Sequence, residues 1–302
     1  MCDHNLVEEE LQRYTATDFA AIEESDSLFL EYAGPKTSIR TKYLNKDVKT
    51  PVAVALKALR DREEEDHTQE LSNELRIWRL LSPDPNIAYF LGAGELDEWP
   101  FDKLSLVSRY YECGNSNVFL EKNDIPDLQR VHLLKDVLKG IVHIHGKSIV
   151  HGDLKGANIL IENNGERAKI SDFGSSLIEC KCQGLAEVDS GTFPWDAPER
   201  FVGGKVTPKS DIWAFGCVSL EASDFNGYTP YISISYVGVL NRMVKGDPPA
   251  TPNEVNLDGM VRATVWSLMQ DCWAFEPLKR PAATDLLEKM EKIPTSVLGE
   301  NV

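Results

Sequence analysis

The apolar pattern of this chain changes near residue 116, and that change restricts the folds open to it. Before this point, short apolar runs at residues 52–56 and 104–107 are typical of buried strands. Between them, a helical pattern at residues 61–81 places four apolar side chains on one face: Leu71, Leu75, Trp78 and Leu81. After residue 116, helical periodicity recurs in five stretches: residues 127–146, 210–222, 235–245, 260–273 and 282–291. A small β-rich part followed by a larger helix-rich part predicts an α+β protein with two lobes.

The charge and apolar patterns argue against two classes of partner. The chain carries 32 Lys and Arg against 48 Asp and Glu, a formal net charge of −16. Because binding to nucleic acid or anionic lipid needs a basic surface, neither partner is expected. No apolar run reaches the ~18 residues of a membrane-spanning helix, so no membrane insertion is expected. The first residues lack the features of a secretory signal and the six cysteines are scattered, which favours a cytoplasmic or nuclear protein with reduced thiols.

Two polar motifs follow the helical stretch at residues 127–146. The segment His151-Gly152-Asp153-Leu154-Lys155-Gly156-Ala157-Asn158 carries a carboxylate, an amine two residues later and an amide five residues later. The segment continues to Leu160, and the tripeptide Asp172-Phe173-Gly174 begins twelve residues later. Alone, Asp-Phe-Gly is a common sequence, but at this distance from the first motif it becomes specific. A surface loop with incidental polar residues would have to explain both motifs in this order.

These segments resemble the catalytic loop and the magnesium loop of eukaryotic protein kinases, and the resemblance runs from about residue 28 to residue 293. Other segments match the family in the family's order: Ala55-Leu56-Lys57, the activation-segment end at 191–199, the helix start at 210–216, and Cys272-Trp273 with Pro277 and Arg280-Pro281. The last of these is similar to the tyrosine-kinase-like group.

The resemblance implies a bilobal protein-kinase-like fold with a small β-rich N-lobe, which contains one main helix, and a larger helical C-lobe. It places the N-lobe at about 28–107, the hinge at about 108–115 and the C-lobe at about 116–293. An acidic N-terminal extension, residues 1–27, and a C-terminal tail, residues 294–302, would flank this kinase domain.

The resemblance also implies roles for the two polar motifs. Phosphoryl transfer from ATP depends on positioning and on charge neutralisation more than on covalent chemistry. Asp153 would accept or orient the proton of the attacking hydroxyl, and Lys155 would neutralise charge on the transferred phosphate. Asn158 and Asp172 would supply oxygen ligands to Mg²⁺, with Asn158 also counted among the catalytic residues.

ATP would be bound mainly by the N-lobe and the hinge. Lys57 would contact the α- and β-phosphates and needs a carboxylate partner, for which Glu74 is favoured and Glu70, one turn earlier, is the alternative. Ser108 takes the gatekeeper position behind the adenine pocket, and the next residues offer backbone groups to adenine. The full set of predicted nucleotide contacts is Gly34, Ile39, Ala55, Lys57, Glu74, Ser108, Arg109, Tyr111 and Leu160.

Several further residues match structural positions of the family. Glu199 and Arg280 would form a buried ion pair, and Asp211 would accept backbone amides of the catalytic loop. His143 and His145 form a His-x-His pattern that suggests a metal site, but the family context favours packing or hydrogen bonding. Two more thiols form the pattern Cys-x-Cys at residues 180–182, and with no second Cys/His pair nearby they are interpreted as loop residues.

The chain departs from the family pattern in its glycine-rich loop. Aligning Ile39 with the family's valine places Tyr32, Gly34 and Thr37 at the three glycine sites, so one glycine remains. Glycines at these sites let backbone amides approach the phosphates closely. The substitutions therefore leave an alternative open, in which the chain is a pseudokinase that acts as a signalling scaffold or binding module.

A second departure is Gly152, where most members have an arginine that binds a phosphorylated activation segment. A phosphate on Ser190 or Thr192 would have less positive charge to bind, so we expect activity that does not depend on phosphorylation of this segment.

The identity of the acceptor is indicated by Lys155, since dedicated tyrosine kinases usually carry Ala or Arg in its place. The resemblance therefore implies an ATP-dependent protein serine/threonine kinase whose partner is a protein substrate with a Ser/Thr acceptor. A small-molecule phosphotransferase is the third interpretation, and the long segment between Gly174 and Ala197, which is similar to a peptide-substrate platform, argues against it.

Overall fold

A computed structural model of the chain describes residues 31–32, 38–44, 51–58, 68–95, 104–179, 192–223, 230–231, 234–254 and 260–293. The chain divides into two compact units, and each is described by itself. The smaller unit comprises Met1–Pro83 and Ala88–Tyr110, and the larger comprises Asp84–Ile87 and Tyr111–Val302. The α+β class predicted from the sequence is confirmed.

The smaller unit contains one antiparallel sheet and one described helix. The strands are β1 (Glu31–Tyr32), β2 (Ser38–Leu44), β3 (Pro51–Ala58), β4 (Phe90–Glu95) and β5 (Leu104–Arg109), and the helix is α1 (Thr68–Leu81). The spatial order of the strands is β1-β2-β3-β5-β4. Strand β3 therefore lies between two partners, and Lys57 is paired with Ser38 on β2 and with Leu106 on β5.

Helix α1 buries a face that differs from the apolar stripe predicted for it. Ile77, Trp78 and Leu81 are buried, whereas Leu75 is only half-buried. The carboxylate of Glu74 occupies part of the buried face and is 3% exposed. Apolar periodicity does not reveal a buried charge, since such a group is tolerated only where a partner supplied by another element is close.

The larger unit is mainly helical. Its helices are α2 (Ser116–Lys122), α3 (Asp127–Gly146), α4 (Pro208–Ser223), α5 (Tyr236–Lys245), α6 (Met260–Cys272) and α7 (Ala283–Glu291). Its short strands form two antiparallel pairs, β6 (Ile149–Val150) with β9 (Leu177–Ile178), and β7 (Ile159–Glu162) with β8 (Arg167–Ile170). The five helices predicted after residue 116 are confirmed to within two residues at each end. None of the helices that the structure describes is both long and apolar enough to span a membrane.

The core of the larger unit forms around α3 and α4. The apolar residues predicted for α3 are all buried: Val131, Leu134, Val137, Leu138 and Ile141. A side chain at Gly140 would collide with Ile170, so α3 packs closely against β8 at this point. The segment Asp84–Ile87 belongs to this unit because the carbonyl of Asn86 accepts the amide of Ile170 at 2.8 Å.

Candidate active site

The predicted site residues fall into two groups, one in each unit. In the smaller unit, the ammonium of Lys57 donates to both carboxylate oxygens of Glu74, each at 2.8 Å. The side chain of Lys57 is 26% exposed and that of Glu74 is 4% exposed, so the carboxylate of the ion pair is buried whereas the lysine is partly exposed to solvent. The side chain of Glu70, the alternative partner, lies outside the described residues.

Four of the five remaining predicted nucleotide contacts of the smaller unit lie on its sheet. Ala55 on β3 is paired with Ser108 on β5, and Ser108 is 7% exposed. The amide of Arg109 donates to the carbonyl of Tyr89 at 3.1 Å. Ile39 lies on β2, paired with Leu56, and its side chain is not described. Gly34 lies outside the described residues, as does the rest of the loop at 33–37.

In the larger unit, three side chains converge on the carboxylate of Asp153. The ammonium of Lys155 donates to Oδ2 at 2.6 Å, and the hydroxyl of Thr192 donates to Oδ1 at 2.8 Å. Lys155 also donates to the Thr192 hydroxyl at 2.5 Å, which closes a three-membered network. The amide nitrogen of Asn158 donates to the backbone carbonyl of Asp153 at 2.8 Å and to Oδ2 at 3.2 Å. Asp153 therefore lies between a cation, a hydroxyl and an amide in a fixed arrangement.

The catalytic loop is positioned by Asp211, which lies in the first turn of α4. Its carboxylate accepts the backbone amides of His151 and Gly152 at 2.8 and 2.9 Å, as predicted from the sequence. It also contacts Nε2 of His145 at 2.9 Å. Burial opposes ionisation of Asp211, but the hydrogen bonds from His145 and Gly152 and the two nearby histidines outweigh it and lower its pKa. His145 therefore has a hydrogen-bonding role, as the family context predicts. The Nδ1 atom of His143 lies 3.4 Å from Oδ2 of Asp84.

His151 connects the catalytic loop to the segment that carries Asp172. Its Nδ1 accepts the amide of Asp153 at 3.2 Å and its Nε2 lies 3.1 Å from the carbonyl of Ser171, so the ring carries its hydrogen on Nε2. The ring is fully buried and packs edge-on against Phe173, with centroids 5.4 Å apart. Phe173 therefore fixes this segment against the catalytic loop through packing.

The two predicted metal ligands lie on segments that are joined by hydrogen bonds. The backbone amide and the hydroxyl of Ser171 both donate to the carbonyl of Asn158, each at 2.9 Å. Asp172 follows with a left-handed backbone (φ 65°), a conformation that non-glycine residues adopt mainly where neighbouring structure imposes it. Among the described residues, no cluster of three or more His, Cys, Asp or Glu forms a separate metal site.

The two other predicted nucleotide contacts belong to the larger unit. Tyr111 is buried, and its carbonyl accepts the amide of Gly114 at 3.0 Å. Leu160 lies on β7 and pairs with Lys169 on β8, with an isolated bridge to Asn115 on its other side. Leu160 is half-buried, so part of its side chain remains accessible.

A buried carboxylate that the sequence analysis did not assign supports the same loop. Glu221 accepts the amide of Gly156 at 2.8 Å, the indole of Trp195 at 2.9 Å and the amide of Asn117 at 3.0 Å. Burial raises the pKa of Glu221, and these three donors oppose the rise. Its signal in the sequence is a charged residue that follows the largely apolar stretch at 212–220, because such a residue is buried only with partners.

The ion pair predicted between Glu199 and Arg280 is confirmed. The guanidinium donates to the two carboxylate oxygens at 2.7 and 2.8 Å, and Arg280 is 1% exposed. The guanidinium also lies over the ring of Trp213, 5.0 Å from its centroid. The cysteines at 180 and 182 and Ser190 lie outside the described residues. Thr192, considered above only as a phosphate acceptor, contacts Asp153 through its hydroxyl.

Comparison with known proteins gives one family model that covers most of the chain. The model of the protein tyrosine and serine/threonine kinase family matches residues 33–290. Among curated proteins, the chain is 34% identical to Mitogen-activated protein kinase kinase 2 of Arabidopsis thaliana over 194 residues, which is 61% of this chain and 51% of that protein.

Two further relatives come from the same plant. Mitogen-activated protein kinase kinase 1 is 31% identical over 243 residues, 78% of this chain and 65% of that protein. Serine/threonine/tyrosine-protein kinase HT1 is 28% identical over 252 residues, 80% of this chain and 60% of that protein. The chain thus spans between about half and two thirds of the length of these relatives.

Proposed function

This chain belongs to the protein tyrosine and serine/threonine kinase family, and from that membership we propose that it transfers the γ-phosphate of ATP to serine and threonine hydroxyls of protein substrates. The kinase domain in this proposal spans residues 28–293, flanked by residues 1–27 and 294–302. The observation that carries the proposal is the convergence of Lys155, Thr192 and Asn158 on Asp153.

Asp153 orients the attacking hydroxyl and accepts its proton in this mechanism. Its carboxylate is held from three sides, so its position is set before substrate arrives and the cost of ordering it is not incurred during the reaction. Lys155 carries a positive charge within 2.6 Å of that carboxylate, where it neutralises charge that develops on the transferred phosphate.

The nucleotide contacts in this proposal are those that the family resemblance implies. Lys57, oriented by Glu74, contacts the α- and β-phosphates, since an ammonium is a strong point charge for phosphate. At the hinge, the amide of Arg109 already donates to Tyr89 and the carbonyl of Tyr111 already accepts from Gly114. Backbone groups of Arg109 and Tyr111 are assigned to adenine. Ala55, Ser108 and Leu160 would line the pocket, with Gly34 and Ile39 above the nucleotide.

Mg²⁺ is the cofactor that the family implies, and the donor set fits it. The two hydrogen bonds from Asn158 to Asp153 use the amide nitrogen, so the amide oxygen is the atom of that group left for a metal. The carboxylate of Asp172 supplies the second kind of hard oxygen ligand that Mg²⁺ prefers. When bound, the ion would neutralise phosphate charge alongside Lys57 and Lys155.

The acceptor class in this proposal rests on Lys155, which donates to Asp153 and to Thr192. This supports a serine/threonine acceptor, in line with the sequence expectation. The non-catalytic alternative depends on the loop from Tyr32 to Thr37, of which residues 33–37 lie outside the described residues. Nothing in the part of the chain that the structure describes favours it.

The test is phosphate transfer from γ-labelled ATP to a basic acceptor protein, with Mg²⁺ present. Asp153→Asn serves as the inactive variant and Asp124→Asn, at an exposed position, as the matched control. We expect incorporation by the unaltered chain and by Asp124→Asn, a loss of about 10²- to 10⁴-fold in Asp153→Asn, and phosphoserine or phosphothreonine after acid hydrolysis. Equal incorporation in all three proteins would contradict the proposal.

A further inference from the structure

An ion pair at the end of the activation segment contacts the catalytic loop at Gly152, the residue whose amide Asp211 accepts. The guanidinium of Arg200 donates to the carboxylate of Asp196 in a short contact, four residues earlier in the chain. The same nitrogen donates to the backbone carbonyl of Gly152 at 3.0 Å. The side chains of Arg200 and Asp196 are 10% and 14% exposed, so this is a largely buried pair rather than a solvated one.

Gly152 is the residue immediately before Asp153, and its backbone is fixed on both sides. Its amide donates to Asp211 at 2.9 Å, and its carbonyl accepts from Arg200. Its φ is 80°, in the left-handed region, and a Cβ at this position would lie 2.6 Å from the carbonyl oxygen of Ser175. A side chain at position 152 therefore does not fit this backbone. The cation that contacts the loop here is Arg200, whereas most family members have an arginine at position 152.

We propose that Arg200 is a positioning residue for phosphoryl transfer, which fixes the Gly152 carbonyl and through it the carboxylate of Asp153, with Asp196 as its counter-anion. The inference rests on the proposed kinase function. Arg200 does not contact the reacting groups in this account. It acts on the loop that carries them.

The charges around this pair favour a positioning role. The charges of Asp153 and Lys155 both act on Asp196. Arg200 is paired with the Asp196 carboxylate, and a cation there offsets the repulsion that Asp196 experiences from Asp153. Because Asp196 supplies the anion within the chain, the pair needs no phosphate, which agrees with the expectation that activity does not depend on phosphorylation of the activation segment.

The test compares Arg200→Ala and Arg200→Lys with Arg262→Ala. Arg262 forms an ion pair with Asp127 at 3.1 Å in the same unit, and its side chain is 14% exposed, so it is a matched arginine away from the loop. At pH 7.5, we expect Arg200→Ala to lower kcat by about 10- to 100-fold with little change in the KM for ATP. Arg200→Lys should recover part of the loss, and Arg262→Ala should keep the kcat of the unaltered chain.

Hydrogen exchange of the backbone gives a readout that does not depend on activity. We expect Arg200→Ala to speed exchange in residues 150–156 by about tenfold, the value of one hydrogen bond from a charged donor, while Arg262→Ala leaves it unchanged. Unchanged exchange, or a kcat equal to that of Arg262→Ala, would overturn the inference. If the unaltered chain transfers no phosphate, the proposed function fails, and the exchange measurement still decides whether Arg200 fixes the loop.

Discussion

Glu221 accepts the backbone amide of Gly156 at 2.8 Å. Asp211, which lies ten residues earlier in the same helix, accepts the backbone amides of His151 and Gly152. Ten residues of helix extend about 15 Å, so α4 supports the catalytic loop at both of its ends. Asp153 and Lys155 lie between these two supports. Their geometry is therefore set by a buried helix rather than by the loop alone.

Removal of the Glu221 carboxylate should destabilise the larger unit. Glu221→Ala leaves the donors of Gly156, Trp195 and Asn117 without this acceptor, and a buried unsatisfied group costs about 1–3 kcal/mol. Urea unfolding should show a loss in this range. Glu288→Ala, which removes a carboxylate that is 68% exposed, is the control and should change stability by less than about 0.5 kcal/mol. Equal values for the two variants would contradict the role given to Glu221.

The pair between Lys57 and Glu74 should show coupling in a double-mutant cycle. Lys57→Met leaves the buried Glu74 without this cation, which should lower the free energy of unfolding by about 1–3 kcal/mol. In the double variant Lys57→Met/Glu74→Leu, the buried carboxylate is removed together with its cation, so stability should recover in part. Phosphate transfer should stay lost in both variants. A double variant as unstable as the single one would show that the two residues are not coupled.

Much of this arrangement could be predicted from the sequence, because it depends on local pattern. The five helices after residue 116 and strand β3 follow from apolar periodicity, and Asp153, Lys155 and Asn158 follow from a short motif. The network through Thr192 could not be predicted, since 37 residues separate it from Lys155 and periodicity carries no information on long-range side-chain contacts. The same holds for Arg200 and Gly152, which are joined by a contact to a backbone carbonyl that no residue type signals.

Replacing Gly152 with the arginine typical of the family should weaken the protein. A left-handed φ costs a residue with a Cβ roughly 1–2 kcal/mol, and the Ser175 carbonyl adds a steric clash at position 152. Gly203 is the matched control, because its φ is 76° and a Cβ there meets nothing within 4 Å. Urea unfolding should therefore show a larger loss for Gly152→Ala than for Gly203→Ala, and at least as large a loss for Gly152→Arg. Equal losses for the two alanine variants would argue against the clash.

The stability of the protein should depend on pH through Asp196. Burial, assisted by the charge of Asp153, raises the pKa of Asp196 from 3.8 to about 6 against the opposing effect of Arg200. At pH values between 3.8 and about 6, the folded protein retains a proton on Asp196 that the unfolded chain loses. The contribution of Asp196 to the free energy of unfolding therefore falls as pH rises.

Measured against Asp196→Asn, the unaltered chain should lose up to about 3 kcal/mol of stability between pH 4 and pH 7, since one pKa unit corresponds to about 1.4 kcal/mol. Denaturant unfolding at a series of pH values measures this difference. A difference that grows with pH would mean that the attraction of Arg200 exceeds the effect of burial.

The proposed phosphoryl transfer depends on Asp153 as the residue that orients the acceptor hydroxyl and accepts its proton. The most direct measurement is kcat and the KM for ATP for the unaltered chain, Asp153→Asn and Lys57→Met, on one acceptor protein with Mg²⁺. We expect kcat to fall by about 10²- to 10⁴-fold in Asp153→Asn with the KM for ATP little changed, and kcat/KM to fall strongly in Lys57→Met. An Asp153→Asn protein that turns over as fast as the unaltered chain would contradict this role of Asp153.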